Sequence, residues 1–160
     1  NPPYVSNARM TAQQKAKIAE VFARYPYKVS KRADLWVYFI LHSLQFLHTG
    51  GRMAWILPGS FLQANYAVTV RKVIEQNFGR ALAIQLGQRL FISEGAQENT
   101  IVLLTDGWQQ GTTTLMLEFA PNLEELQKII TAWDEGQCEG TPLAATAQAT
   151  FLSPEIRHSL

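Results

Sequence analysis

The chain of 160 residues has one cysteine, Cys138, and three histidines. A single thiol excludes a disulfide scaffold, and with the imidazoles scattered over His42, His48 and His158 it also excludes a multi-cysteine zinc site. Charge is sparse: 17% of residues are Asp, Glu, Lys or Arg, against about 25% in an average soluble domain. No apolar run reaches the ~18 residues of a membrane span. The densest, residues 35–47, is broken by His42, Ser43 and Gln45. The first residues do not read as a secretory signal. Apolar side chains are plentiful at 47%, enough for the packed core of one domain, so a disordered chain is excluded. The expectation is a cytoplasmic protein with no membrane span and no metal centre.

The net charge of +1 conceals a division. Residues 1–90 hold twelve Lys/Arg and three Asp/Glu, whereas residues 91–160 hold two and ten. The basic part suits a polyanion; equally, the two parts suit one another.

Thr11 and Gln14 have capping-box spacing, which predicts a helix to about Tyr25, where Pro26 stops it. A basic connection follows, with Lys28, Lys31 and Arg32. Over residues 33–47 apolar side chains cover so much of a helix that it must be nearly buried, and Gly50-Gly51 ends it. Residues 52–57 read as a buried parallel strand. A helix over 66–78 carries Arg71, Lys72 and Glu75 outward. Strands are predicted at 81–86, 100–104 and 112–119, with a loop of a dozen residues over 87–98. Asn122 and Glu125 open a last helix to Asp134, and residues 135–160 read as linker. The strand–helix–strand unit over 52–86 predicts a parallel pair, and the helix-free connection after it predicts an antiparallel hairpin. The fold class is α/β, a mostly parallel sheet ending in that hairpin.

The chemistry sits at the start: Asn1-Pro2-Pro3-Tyr4. A polyproline turn with tyrosine packed on a proline ring is the plain alternative. Two prolines stiffen the backbone and remove two donors, so the tetrapeptide presents acceptors, the Asn1 side-chain oxygen and the Pro2 carbonyl. An exocyclic amine has two hydrogens to give. Two converging acceptors would hold it and free its lone pair, while Tyr4 offers a flat face to a planar ring. A duplex base reaches such a site only when flipped out.

With these residues the chain resembles the N6-adenine-specific DNA methyltransferases, whose catalytic motif is NPPY. The similarity continues through Leu35-Trp36-Val37-Tyr38-Phe39, through Gly50-Gly51 and the strand to Pro58, and through Leu90-Phe91 with the strand after Asn99. The order is most similar to the gamma type, as in fused restriction–modification enzymes and type I modification subunits. The resemblance implies a partial Rossmann-like fold, S-adenosyl-L-methionine as cofactor and double-stranded DNA as partner. It implies that Asn1 and Pro2 accept hydrogen bonds from the adenine amine, that Tyr4 stacks on the base and Phe91 touches its other side, and that Pro3 and Phe39 border the cofactor. Lys28, Lys31 and Arg32 would meet phosphates or form a solvated loop; for Phe39 a plain core role stays open.

The glycine-rich cofactor motif and the ribose-binding acid, which that family carries upstream of NPPY, are not in these residues. Residues 1–134 are therefore expected to be the C-terminal half of a catalytic domain, and 135–160 a linker or the start of a target-recognition region. Alone, the chain is expected not to methylate, and to self-associate through the strand edge that the other half would cover. Two other classes remain: a protein-glutamine N5- or RNA amino-methyltransferase, and a non-catalytic interaction module.

Overall fold

In a computed structural model of the chain, residues 1–87 and 99–144 are described. Residues Asn7–Arg9 make one 3-10 turn before helix α1 (Ala12–Phe22). Its capping box forms as the spacing predicts, with Thr11 and Gln14 each bonding the other's backbone amide. Helix α2 (Leu35–Ser43) continues as a 3-10 turn to Phe46. Strand β1 (Met53–Pro58) leads through a short α3 (Ser60–Gln63) into α4 (Val68–Asn77). Then come β2 (Phe78–Leu86), β3 (Thr100–Trp108), β4 (Met116–Ala120), α5 (Leu123–Asp134) and a two-residue β5 (Thr141–Pro142).

The five strands lie in the order β1-β3-β2-β4-β5. Only β2 and β4 pair in parallel; β1 with β3, β2 with β3 and β4 with β5 are antiparallel. The expected hairpin is there, as β2 and β3, but the expected parallel pair of β1 and β2 is not, and the sheet is mostly antiparallel. The physical reason is that a continuous apolar run reports burial on both faces, not the direction of the neighbour. In β2, Ala81 and Ala83 enter one core while Leu82, Ile84 and Leu86 enter the other. Strand β3 inserts between β1 and β2, which keep a common direction without touching. Residues 141–142, within the stretch that reads as linker, close the sheet on the far side of β4.

The larger core packs Trp36, Ile40 and Leu41 from α2 and Leu44 from the 3-10 turn after it, with Val70 and Ile74 from α4, against Leu57, Ile101 and Leu103 of the sheet. The smaller core sets α5, through Trp133, on Leu82, Ile84 and Ala120. Helix α1 buries no residue.

Gly50-Gly51 works later than the sequence suggests: α2 has already ended at Ser43. Gly50 has φ +81 and donates to the Trp108 carbonyl at 2.8 Å, while Trp108 donates to Gly51 at 3.1 Å. A Cβ on Gly51 would lie 2.8 Å from the His48 oxygen. The pair therefore brings the chain into β1 against the end of β3. Helix α4 also departs from expectation. Arg71 is half-buried, its guanidinium bonding the Phe61 carbonyl, and Glu75 accepts from the Leu115 amide at 2.9 Å; only Lys72 is fully exposed. Charge on that face is used to satisfy backbone groups.

Opposite the cleft described below, Arg80 fastens α5 to the sheet. It lies 4.1 Å above the Trp133 ring, donates to the Trp133 carbonyl at 3.1 Å and to Asp106 at 2.9 Å. Arg52 donates to the other Asp106 oxygen at 3.1 Å. Burial alone raises the Asp106 carboxyl, but the hydrogen bond from Arg80 and the nearby charges of Arg52 and Arg80 outweigh it and hold it below the usual carboxylate range. A depressed carboxyl contributes stability above its unfolded value, near pH 4, and loses it as pH falls through the lower folded value. Asp106→Ala is expected to lower unfolding free energy by about 1–3 kcal/mol at neutral pH. In urea titrations the gap between wild type and variant should shrink as pH drops below about 4; a gap unchanged at acid pH would contradict this.

Candidate active site

The first tetrapeptide is tied down from three directions. Pro2 is buried; Asn1, Pro3 and Tyr4 are exposed, Tyr4 by 44%. The Tyr4 hydroxyl donates to the Ile56 carbonyl of β1 at 2.8 Å, which fixes the ring by its tip and leaves much of the ring open. One residue on, the Val5 carbonyl accepts from the Leu35 amide at 2.9 Å, so the free N-terminal end of α2 is satisfied by the tetrapeptide's own continuation. Next, the Asn7 amide donates to Asp34 Oδ1 at 2.8 Å, and the Asn7 side chain donates to the Lys31 and Ala33 carbonyls at 3.0 and 3.2 Å.

Asp34 stands at the N-cap of α2, yet its carboxylate bonds no α2 amide. Its second oxygen accepts from the Tyr66 hydroxyl at 2.7 Å. Burial raises the Tyr66 phenol above its ordinary value, and the adjacent Asp34 carboxylate adds to the effect; Tyr66 is therefore a neutral donor over the physiological range.

These ties border a cleft of about 590 Å³ just beyond the end of β1 and the start of β3, lined by Tyr4, Ser6, Asp34, Trp36, Ser60 and Asn99 among others. Its size is that of a small-molecule or single-base site, ~300–1,000 Å³. A Cβ on Gly59 would lie 3.0 Å from the Asn99 Cβ and 3.1 Å from its carbonyl oxygen, so glycine lets the two segments close the end of the cleft. The lining offers flat rings, hydroxyls and an amide.

The structure thus brings Tyr4 to a cleft, as the sequence suggests, but does not bring every expected residue there. Phe39 is 44% exposed on α2 and does not line the cleft. Phe91 lies outside the described residues. Lys28, Lys31 and Arg32 are exposed, and no described carboxylate pairs with them. Lys31 sits with Lys15, Tyr27 and Tyr38 along a separate groove of about 390 Å³. No described group of three His, Cys, Asp or Glu residues could hold a metal, and no described helix is long and apolar enough to cross a membrane. Sequence reasoning passes over Asp34 and Asn99, which line the cleft, and Tyr66, which holds Asp34. An aspartate directly before a long apolar helix is a legible N-cap signal, but its diversion to Asn7 and Tyr66 is not.

Residues 1–89 match the family of the Eco57I restriction-modification methylase. Among solved structures, a modification subunit assigned to a type I restriction enzyme of Vibrio vulnificus YJ016 superposes with TM-score 0.52 at 15% identity, over 68% of this chain and 27% of that one. The DNA-bound, ATP-dependent type ISP restriction-modification enzyme LlaBIII gives 0.52 at 12% identity, over 79% and 10%. A protein of Listeria monocytogenes assigned to the class I S-adenosylmethionine-dependent methyltransferases gives 0.50 at 16%, over 71% and 36%. The mixed sheet with its flanking helices is thus part of a methyltransferase-type α/β fold, and the chain spans about a quarter of the Vibrio subunit.

Tyr4→Phe keeps the ring and loses the bond to Ile56. It is expected to cost roughly 1 kcal/mol of stability and to speed amide exchange at Tyr4 and Val5 while leaving β3 protected; unchanged exchange at those two amides would show that the hydroxyl does not fix the ring.

Proposed function

The chain belongs to the Eco57I restriction-modification methylase family, and from that premise we propose that it is the substrate-handling part of a cytoplasmic DNA methyltransferase that modifies the N6 amine of an adenine extruded from double-stranded DNA. The observation that carries this reading is Tyr4, anchored by its hydroxyl to Ile56, 44% exposed and lining a cleft of small-molecule size.

In this reading the Asn1 side-chain oxygen and the Pro2 carbonyl accept the two amine hydrogens, Tyr4 stacks on one face of the base and Phe91 closes on the other. S-adenosyl-L-methionine, when bound, supplies an electrophilic sulfonium methyl. The exposed apolar surfaces of Pro3 and Phe39 suit one face of its adenine ring. Asn1 and Pro2, by holding both amine hydrogens, would leave the amine lone pair free for transfer of that methyl from sulfur to nitrogen, and the surplus amine proton would leave to solvent. No strongly basic side chain is needed; alignment supplies the acceleration. Residues 1–134 act as the C-terminal half of the catalytic domain, with 135–160 leading into target recognition.

Labelled-methyl transfer to duplex oligonucleotides, measured in the enzyme that contains this chain, tests the assignment. Asn1→Ala should lower kcat by about 100-fold or more with DNA affinity little changed. Label on cytosine, or full activity in the variant, would overturn it.

The cations of residues 28–32, which pair with no described carboxylate, support a phosphate contact. Replacing Lys28, Lys31 and Arg32 with glutamine should reduce the slope of log affinity against log salt by roughly 0.9 for each lost contact. An unchanged slope would make them a solvated loop only.

A further inference from the structure

We propose that Asp34 is a positioning residue that sets the width of the cleft at Tyr4. The catalytic consequence rests on the methyltransferase reading above; the geometry does not. Two separate segments line the cleft, one through Ser6 and one through Ser60, Gln63 and Ala64, and Asp34 lines it with them. Oδ1 takes the amide of Asn7, the residue after Ser6, and Oδ2 takes the hydroxyl of Tyr66, two residues beyond Ala64. Each oxygen therefore holds one wall.

An aspartate at an N-cap ordinarily accepts from the second or third amide of its own helix. Asp34 does not, and the first α2 amide goes to Val5 instead. The carboxylate is released from capping and used as a bridge. Its base is rigid, because Trp36, Val37 and Ile40 on the same helix are fully buried. Hydrogen bonds to an ionised acceptor are about twice as strong as neutral ones, so the bridge holds both walls against an entering ring. Because the Asn7 bond is three residues past Tyr4, widening the cleft also releases the stacking ring's backbone. A shift of about 1 Å in a reacting group costs on the order of 100-fold in rate.

Amide hydrogen exchange on the chain, with kinetics on the enzyme containing it, tests the bridge. Asp34→Ala should speed exchange at Asn7, Ala64 and Ala67 by about tenfold or more and leave Leu103 in β3 unchanged. Asp34→Asn, which keeps an oxygen for Asn7, should restore Asn7 protection. Tyr66→Phe should loosen Ala64 and Ala67 only. In the enzyme, Asp34→Ala should lower kcat about 100-fold without changing cofactor affinity, and Asp34→Asn should recover most of the loss. Unchanged exchange at Asn7, or faster exchange spread equally to Leu103, would overturn the proposal. Should Asp34→Ala not fold, Tyr66→Phe decides: loosening that reaches Asn7 as strongly as Ala67 sinks the idea. A wild-type enzyme inactive on DNA would remove the functional reading, and the exchange result would still decide the bridge.

Discussion

The amides of Asn7 and Leu35 are the groups on which the arrangement of the site depends. One belongs to the turn after the tetrapeptide, the other to the unsatisfied first turn of α2, and each needs an acceptor. Their exchange, Leu35 to Val5 and Asn7 to Asp34, welds an extended, proline-stiffened segment onto a helix that is itself locked in the larger core. Tyr4 then reaches β1 with its hydroxyl, so helix, sheet and segment form one rigid corner.

The sheet serves that corner by ending there. Strand β1 finishes at Pro58 and β3 begins at Thr100, with Gly59 and Asn99 in close approach at the cleft. At the other end, Arg80, Asp106 and Trp133 fasten α5 to the opposite face. Stability and chemistry are thus placed at opposite ends of the strands. The charged groups divide in the same way: Asp106 and Asp34 are both held by donors, while the cations of residues 28–32 pair with no carboxylate among the described residues.

Several features were legible because they depend on local rules. The Thr11–Gln14 capping box, the stop before Pro26, the Asn122 cap of α5 and the positions of β1 to β4 follow from spacing and propensity. Others were not, because they depend on which segments meet. A doubly buried strand looks the same whether its neighbour runs with it or against it, so the parallel pair of β1 and β2 was a natural but mistaken expectation. Arg71 and Glu75 read as a solvated face; only the arrival of the Phe61 carbonyl and the Leu115 amide made them structural. Phe39, on a helix apolar all round, could not be assigned inward or outward until the core closed without it.

By itself, then, the sequence determined the segment on which the proposed chemistry rests: two acceptors and an aromatic on a proline-stiffened backbone, in four adjacent residues. It also determined a two-faced α/β core, because apolar runs of strand length need cover on both sides. The insertion of β3 between β1 and β2, the diversion of Asp34 from capping to bridging, and the pinning of Tyr4 to Ile56 were decided only by tertiary structure. The side-chain ties of Tyr4 and Asp34 join residues at least 27 positions apart, and such contacts are selected by the closing of the whole core, which no local pattern encodes.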